Sequence, residues 1–570
     1  MKSCNRLLVI LSGVFVAAAM IVAPATAGAT VHGGKAARVG GTTLAATGMG
    51  HAAAPRVVNV RSAAAGPQIK PHARSFGPLG RNGKVAGSTL PVRRSTGVKS
   101  RPAGSPAVAG GANAGHARHV RIHRSARILR HPFAQVLLNK PGITQGKSNC
   151  GTCQPPDPNA AVSPGQIAHV VNLRLQVYKK AGALACAGVG LNTLLGTTAT
   201  LSDPHIQWDN VNKRFSMVVI PVPASDTATP TEFLLATQTA SACGSWFVYS
   251  VGFGGGLFPA GTLMDYPYLG QDNTPSGSFA SGGSILSSTN NFCCSSTGFA
   301  TYLNSAAFAI PKFPVYHGQG FSFPAFSVSF STAPVTVSGL GKAVSANTYW
   351  LASVNGSGYN LYVMTHSSQP GTTLNLQASI SSPFNRPSRR VHQPGTAQTL
   401  DPLDGRIDWA PEIDGAGFIW FTHGIDLTGF PAVRFGAINT ASNTIQVATA
   451  FHSPSSDDFN PSLGLTPTGG QDFVWLNWAY TDTPNGVATS DTVNGVLPGG
   501  GVPNLQNSDL TLVNGFSTSS NFRFGDFSSV EVDPAAVSAS CPKGRAAVLA
   551  QQYFNSTGKW VTRIARVSFC

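Results

Sequence analysis

Six times the chain writes the same short phrase, an extended segment that ends on Asp, Asn or Thr at a turn. It reads Pro204-His-Ile-Gln-Trp-Asp209, Pro267-Tyr-Leu-Gly-Gln-Asp272 and Trp350-Leu-Ala-Ser-Val-Asn355. It returns as Trp409-Ala-Pro-Glu-Ile-Asp414, Pro461-Ser-Leu-Gly-Leu-Thr466 and Ser528-Ser-Val-Glu-Val-Asp533. Successive starts lie 63, 83, 59, 52 and 67 residues apart. Such a period is the signature of small antiparallel sheets arranged around an axis, a β-propeller. The expected fold is therefore all-β, with six or seven blades.

The texture from Cys150 onward agrees. Short β-branched and aromatic runs, such as Phe215-Ser-Met-Val-Val-Ile220 and Phe473-Val-Trp-Leu476, are split by Gly, Pro, Asn and Ser. Nothing of helical length and period competes with them. Val354-Asn-Gly-Ser-Gly-Tyr-Asn-Leu-Tyr-Val-Met-Thr-His366 parallels Ile413-Asp-Gly-Ala-Gly-Phe-Ile-Trp-Phe-Thr-His423, and the Asx-Gly pairs mark tight hairpins. The parallel places His366 and His423 at equivalent positions of two blades, where metal ligation competes with a plain loop or surface role.

Ahead of this body lie two segments of different character. Lys2 and Arg6, the apolar stretch Leu7 to Ala23 and the small residues Ala25-Thr26-Ala27 read as a signal peptide over 1–27. Residues 28–149 carry nineteen Lys and Arg and no Asp or Glu, which accounts for the net charge of +17, since 150–570 is slightly acidic. This Ala/Gly/Pro-rich arm lacks either hydrophobic period and is expected to be disordered. Within it, Val120 to Leu138 could form a short basic amphipathic helix. The arm's charge suits a polyanionic envelope polymer or polysaccharide. Its two aromatics, Phe76 and Phe133, argue against sequence-specific nucleic-acid binding. The expectation is a secreted or cell-surface protein, monomeric, with no membrane span after cleavage.

Eight cysteines remain beyond Cys4: Cys150, Cys153, Cys186, Cys243, Cys293, Cys294, Cys541 and Cys570. An even number in an exported chain implies disulfides, with 105 conceivable pairings. Cys150-Gly-Thr-Cys153 also has redox or zinc spacing, but lacks the partners either chemistry needs. Cys293 and Cys294 are expected to join different partners, because adjacent cysteines strain the peptide between them.

The two ends of the body resemble a family of exported bacterial β-propeller proteins of mostly unassigned activity. The opening motif stands here as Pro155-Pro-Asp-Pro-Asn-Ala-Ala-Val-Ser-Pro-Gly-Gln-Ile-Ala-His-Val-Val-Asn172. The last-blade motif stands as Arg523-Phe-Gly-Asp-Phe-Ser-Ser-Val-Glu-Val-Asp-Pro534, followed by Gln552-Tyr-Phe554 and Trp560-Val-Thr-Arg-Ile564. The resemblance spans 150–570 and implies the propeller fold without assigning catalytic residues. A propeller closes when its terminal strands share a blade. The expected partners are the region Ile167 to Tyr178 and the strand Trp560 to Phe569, with a Cys541–Cys570 bridge pinning the closing hairpin.

Recurrence assigns Asp209, Asp272, Asn355, Asp414, Thr466 and Asp533 to turns, since a catalytic group is needed once. A second set stands just before the phrase: Asp203, Asp265, Asp408, Asn460 and Asp526, with Arg406 and Arg523 nearby. If the phrase is each blade's innermost strand, these residues converge at the mouth of the central funnel as a ligand site. Such carboxylates could bind Ca²⁺ or act as acid and base on a glycosidic bond. Each could equally order its own loop. The chain contains no Gly-x-Ser-x-Gly elbow, His-Glu-x-x-His, Walker loop or sialidase-type Asp box. The leading expectation is an exported binding protein, for a polysaccharide or a protein ligand. The alternative is a carbohydrate-active enzyme of the glycoside-hydrolase kind.

Overall fold

A computed structural model describes residues 42–71, 133, 135–148, 154–273, 283–337, 347–367, 369, 371–466, 473–497, 505 and 509–570. The signal peptide, Cys150, Cys153 and residues 120–132 of the basic stretch lie outside them.

The body is a succession of antiparallel meanders, each with four successive strands hydrogen-bonded in order. The first meander is Asn159–Val162, Gln166–Val171, Arg174–Lys179 and Leu184–Gly190; the second is Leu201–Asp209, Arg214–Pro221, Thr231–Thr237 and Ser245–Gly255. The third is Leu263–Gln271, Ser284–Cys293, Thr301–Pro311 and Phe321–Val328; the fourth is Ala333–Pro334, Thr348–Val354, Gly358–Thr365 and Thr373–Ser381. The fifth is Glu412–Ile413, Phe418–Leu427, Phe430–Asn439 and Ile445–Ala450, with Thr336–Val337 pairing in parallel beside its first strand. The sixth is Asp457–Thr466, Phe473–Asp482, Val487–Val496 and Leu510–Gly515. The last begins with Ser529–Val532, Ala546–Phe554 and Trp560–Ser568, and Gln135–Thr144 adds its outer strand.

The core lies between meanders rather than within them. Leu175 and Val177 of the first pack with Trp208 and Phe215 of the second. The series runs around the molecule until Ala160 and Val162 meet Val548 and Ile564 of the last meander. The first strands touch one another in the same order, the fourth reaching the fifth through Thr336–Val337, and the last touches the first. Strands packed on both faces read as apolar runs, which is why this texture dominates the sequence. The arrangement is all-β and β-propeller-like.

Several expectations change. The repeated phrase is the first strand of its meander in five cases, but Trp350–Asn355 belongs to the second strand of the fourth. Its counterpart there is the short, proline-broken Ala333–Val337, which the sequence pattern hid. The match of His366 with His423 fails for the same reason. His423 lies in a second strand, and His366 follows a third. Closure comes from Gln135–Thr144, inside the supposedly disordered arm, and not from the region Ile167 to Tyr178.

The arm is corrected over a second stretch. Ala46–Ala52 pairs with Ser245–Gly255 on one side and Phe321–Val328 on the other, joining the outer edges of the second and third meanders. Thr42–Leu44 pairs with the outer strand Thr373–Ser381 of the fourth meander, and Arg56–Asn59 pairs again with Ser245–Gly255. The helix Val60–Ala65 follows, capped by the Asn59 side chain, which accepts from the amides of Arg61 and Ser62. Open strand edges on three meanders offered the hydrogen bonds that the arm's own composition could not.

Among the described residues three disulfides are formed. Cys186–Cys243 ties the first meander to the second, and Cys541–Cys570 closes the last, as expected. Cys293 and Cys294 pair with each other, against expectation. No helix among the described residues is long and apolar enough to cross a membrane.

Candidate functional site

The entry to the first strands repeats one device. Asp157, Asp203, Tyr266 and Asn460 each precede a proline and hold positive φ angles of 48, 52, 54 and 51°. The β-ladder shifts register at three of these points, between His205 and Ser202, Asp265 and Tyr268, and Phe459 and Ser462. The bulge re-aims the side chain that follows it. The counterpart of Asp203 in the third meander is therefore Tyr266, one place after the expected Asp265.

Around Tyr266 the expected residues do converge. Its hydroxyl donates to the carbonyl of Asp526 at 2.8 Å and lies 3.4 Å from that of Asp408. Its backbone N–H donates to Oδ2 of Asp203 at 3.3 Å. The Arg406 guanidinium stacks 4.4 Å from its ring centre and makes a bidentate pair with Asp404, at 2.7 and 2.6 Å. Arg523 bonds Asp526 at 3.1 Å, and the Asp526 amide donates to Asp157 at 2.7 Å. Asn172 bonds Asp157 with its amide nitrogen and accepts from the Asp203 amide with its oxygen.

These carboxyls titrate as a crowded, dry group. Burial, then the charge of Asp526, raises Asp157 to about 7. Burial, then Asp157, Asp265 and Asp526, holds Asp203 well above the carboxylate range. Desolvation and like charges act in the same direction here.

The cluster is not an open rim. Asp203, Arg406, Asp408 and Asp526 are 5, 6, 1 and 7 % exposed, too little to meet a polymer directly. The loop 382–411, which carries Arg406 and Asp408, is bonded to the loop 516–528, which carries Asp526. There the amide of Asp401 donates to the carbonyl of Phe522, and Gln393 exchanges two hydrogen bonds with Ser519. Among the described residues no three His, Cys, Asp or Glu side chains are grouped to hold a metal. The Ca²⁺ expected at this ring therefore has no ready-made cage.

Below the cluster the axis narrows. Tyr266, Phe527 and His205 pack ring against ring at 4.2 and 4.1 Å, with Trp409 5.8 Å from His205. Beyond them lies a cavity lined by His205, Gln207, Gln271, Thr336, Glu412 and Glu531, with about 10 Å³ open to the centre of a water-sized sphere. That admits a water or a small ion and not a sugar ring. Burial raises Glu531 to about 8 and holds Glu412, which also feels Glu531, well above the carboxylate range.

At the far ends of the first strands, the turn residues do more than turn. Asp209 accepts the amides of Val211 and Asn212, but also holds the fully buried Lys312 ammonium of the third meander at 2.8 Å. Asp272 takes the hydroxyls of Thr348 and Ser367 in the fourth, and Asp533 pairs with Lys180 in the first. Thr466 donates to the carbonyl of Gly544 in the last. At these four positions the repeated residue is thus a latch between neighbouring meanders, whereas Asp414 bonds only Ala416, Phe418 and Trp420 of its own.

His205, Glu412 and Glu531 stand inside the repeated phrase and passed as ordinary strand residues. Asp157 and Tyr266 are not among the expected residues either, although the X-Pro dipeptides at 157, 203, 266 and 460 align them. Nothing local marks Asn172 or Asp404.

No family model and no curated protein matches the chain. Solved structures do. A Saccharomyces cerevisiae Dbp5 structure bound to Nup159, Gle1, IP6 and ADP matches at 8% identity and TM-score 0.33, over 76% of this chain and 94% of that one. A putative TolB from Agrobacterium tumefaciens matches at 10% and 0.26, over 65% and 86%. A xylan β-1,4-xylosidase from Bacillus halodurans C-125 matches at 9% and 0.23, over 77% and 100%. At such scores these likenesses do not bear on what the chain binds.

Proposed function

We propose that the chain is an exported seven-bladed β-propeller that binds polyanionic envelope polymers through its basic arm, and that the propeller is the rigid body presenting that arm. It fits the family of exported bacterial propellers that its opening and last-blade motifs resemble. The observation that carries the reading is the double attachment of the arm. Strands at 42–59 and 135–144 fasten it to the body on both sides of residues 72–132, where every charged residue is Lys or Arg. A cationic segment fixed at both ends brings its charges to a polyanion together, and each neutralised anionic group releases counterions.

The glycosidase alternative is weaker on geometry. The carboxyls Asp203, Asp408 and Asp526 are almost fully buried, and the axial cavity is too narrow for a sugar ring.

The test is elution of the full chain from heparin and cell-wall columns, beside a variant with the Lys and Arg residues of 72–132 changed to Gln. The variant is expected to elute at clearly lower salt. Equal elution contradicts the binding reading, and hydrolysis of any polysaccharide in a panel by the parent chain revives the enzyme.

A further inference from the structure

The far ends of the first strands, where the repeated phrase closes, keep their acids inside. Asp209, Asp272, Asp414 and Asp533 are 0, 4, 2 and 0 % exposed, engaged in latches and turns. What the hairpins of the first, second and last meanders leave outside at this end is Lys. Lys179 opens the turn that leads to Leu184, and Lys213 lies in the hairpin closed by the Asp209–Arg214 pair. Lys543 precedes Gly544, whose amide donates to the carbonyl of Asp533. All three are exposed, and the only acids of these hairpins are the buried Asp209 and Asp533.

Apolar side chains project among these cations. Leu184 is 53 % exposed, in the hairpin of Lys179, and Val211 is 50 % exposed, two residues before Lys213. Val136 and Leu497, next to the pairs Gln135–Ser568 and Val474–Val496, are exposed at the same end. Scattered singly, such residues need no explanation. Collected at one end with Lys between them, they match surfaces that enter lipid headgroups, where apolar tips reach the acyl boundary and Lys meets anionic groups. The two hairpins are also held to one body, because Cys186, two residues after Leu184, is bonded to Cys243 of the second meander. The arm re-enters the body at this end, where Phe133 packs on Phe569 at 5.0 Å.

We propose that this end of the propeller docks on an anionic lipid bilayer surface, with Lys179, Lys213 and Lys543 over the headgroups and Leu184 and Val211 entering the boundary with the acyl chains. A dissolved polymer would use the lysines alone, whereas the apolar tips fit a lipid surface. The docking goes beyond the binding of polymers by the arm and does not depend on it.

The test uses the chain without its predicted signal peptide, 1–27, and with the Lys and Arg residues of 72–132 changed to Gln, so that neither the leader nor the arm acts. Sedimentation with vesicles of phosphatidylcholine and phosphatidylglycerol, beside phosphatidylcholine alone, gives the partition constant. Binding to the mixed vesicles and little to the neutral ones is expected. Lys179→Gln, Lys213→Gln and Lys543→Gln together should weaken it at least about tenfold, since one Lys near an anionic leaflet is worth about fivefold. Leu184→Ser with Val211→Ser should weaken it several-fold, and should leave heparin elution of the chain with its native arm unchanged. All five positions are exposed, so an unaltered Tm is expected of each variant. No binding to mixed vesicles, equal binding to neutral ones, or binding indifferent to the Lys changes overturns the proposal. Loss with the lysines but not with the apolar pair assigns this end to a dissolved polymer and overturns it too. The heparin result for the altered arm decides the polymer reading by itself, so the two failures are distinct.

Discussion

Glu232 isolates what burial without a partner does to one side chain. It lies in the third strand of the second meander, 1 % exposed, and neither carboxyl oxygen has a hydrogen-bond partner. Burial raises it to about 8. The native state therefore holds a proton that the unfolded chain releases above about 4.5. Stability is lost as pH rises from the unfolded pKa towards the folded one. Glu232→Gln removes the penalty and should stabilise the protein by about 3 kcal/mol at pH 7 and by little at pH 4.5, at about 1.36 kcal/mol per pKa unit. Urea unfolding at the two pH values checks it; equal effects at both would contradict it. At this scale the sequence is legible where chemistry repeats: Asp203, Asp408 and Asp526, which gather around Tyr266, are marked because each precedes the phrase. Tyr266 is not, because a one-residue bulge moves the inward position and Asp265 looks like the better match.

Single elements were legible in proportion to how much apolar surface each buries. Strands packed between meanders carry that fact in their residues, and Phe473–Asp482 is buried throughout. The arm strand Ala46–Ala52 carries almost none of it, since its inward residues are Gly48, Gly50 and Ala52. Those residues are small because space is small. A Cβ at Gly50 would lie 2.2 Å from Cζ of the buried Phe323 ring, and one at Gly48 2.8 Å from Cε2 of Phe258. Gly50→Val should therefore unseat the strand, costing about 1–3 kcal/mol by the usual scale of overpacking. Met49→Gln, at an outward and exposed position, should change stability by less than about 0.5 kcal/mol. Chemical denaturation of both variants compares them, and equal effects would place the strand elsewhere. The fourth meander was misread for a related reason. Its first strand, Ala333–Pro334, is two residues long and has no period to detect.

The whole molecule balances two sets of buried titratable groups. Asp157 and Asp491 are raised to about 7, and Glu232 and Glu531 to about 8, in each case first by burial. Burial lowers His169 to about 4, and His205 and His423 to about 3. The histidines make stability rise with pH up to their unfolded value near 6.5, because the unfolded chain binds protons the native state refuses. The raised acids act in the opposite sense, and their effect continues above 6.5, where the histidines no longer contribute. Unfolding free energy should therefore fall between pH 6.5 and 8 in metal-free buffer. A flat or rising profile in that window would mean that these acids are solvated or paired.

At this largest scale the all-β, propeller-like character was readable from the spacing of one phrase. The attachment of the arm was not, because it depends on edges that exist only once the meanders have formed. That attachment underlies the proposed function, and amide hydrogen exchange of the full chain tests it most directly. Peptides covering 46–52 and 135–144 should exchange as slowly as those from the strands they pair with, Phe321–Val328 and Trp560–Ser568. Exchange of 46–52 and 135–144 at the rate of an unstructured chain would contradict the account.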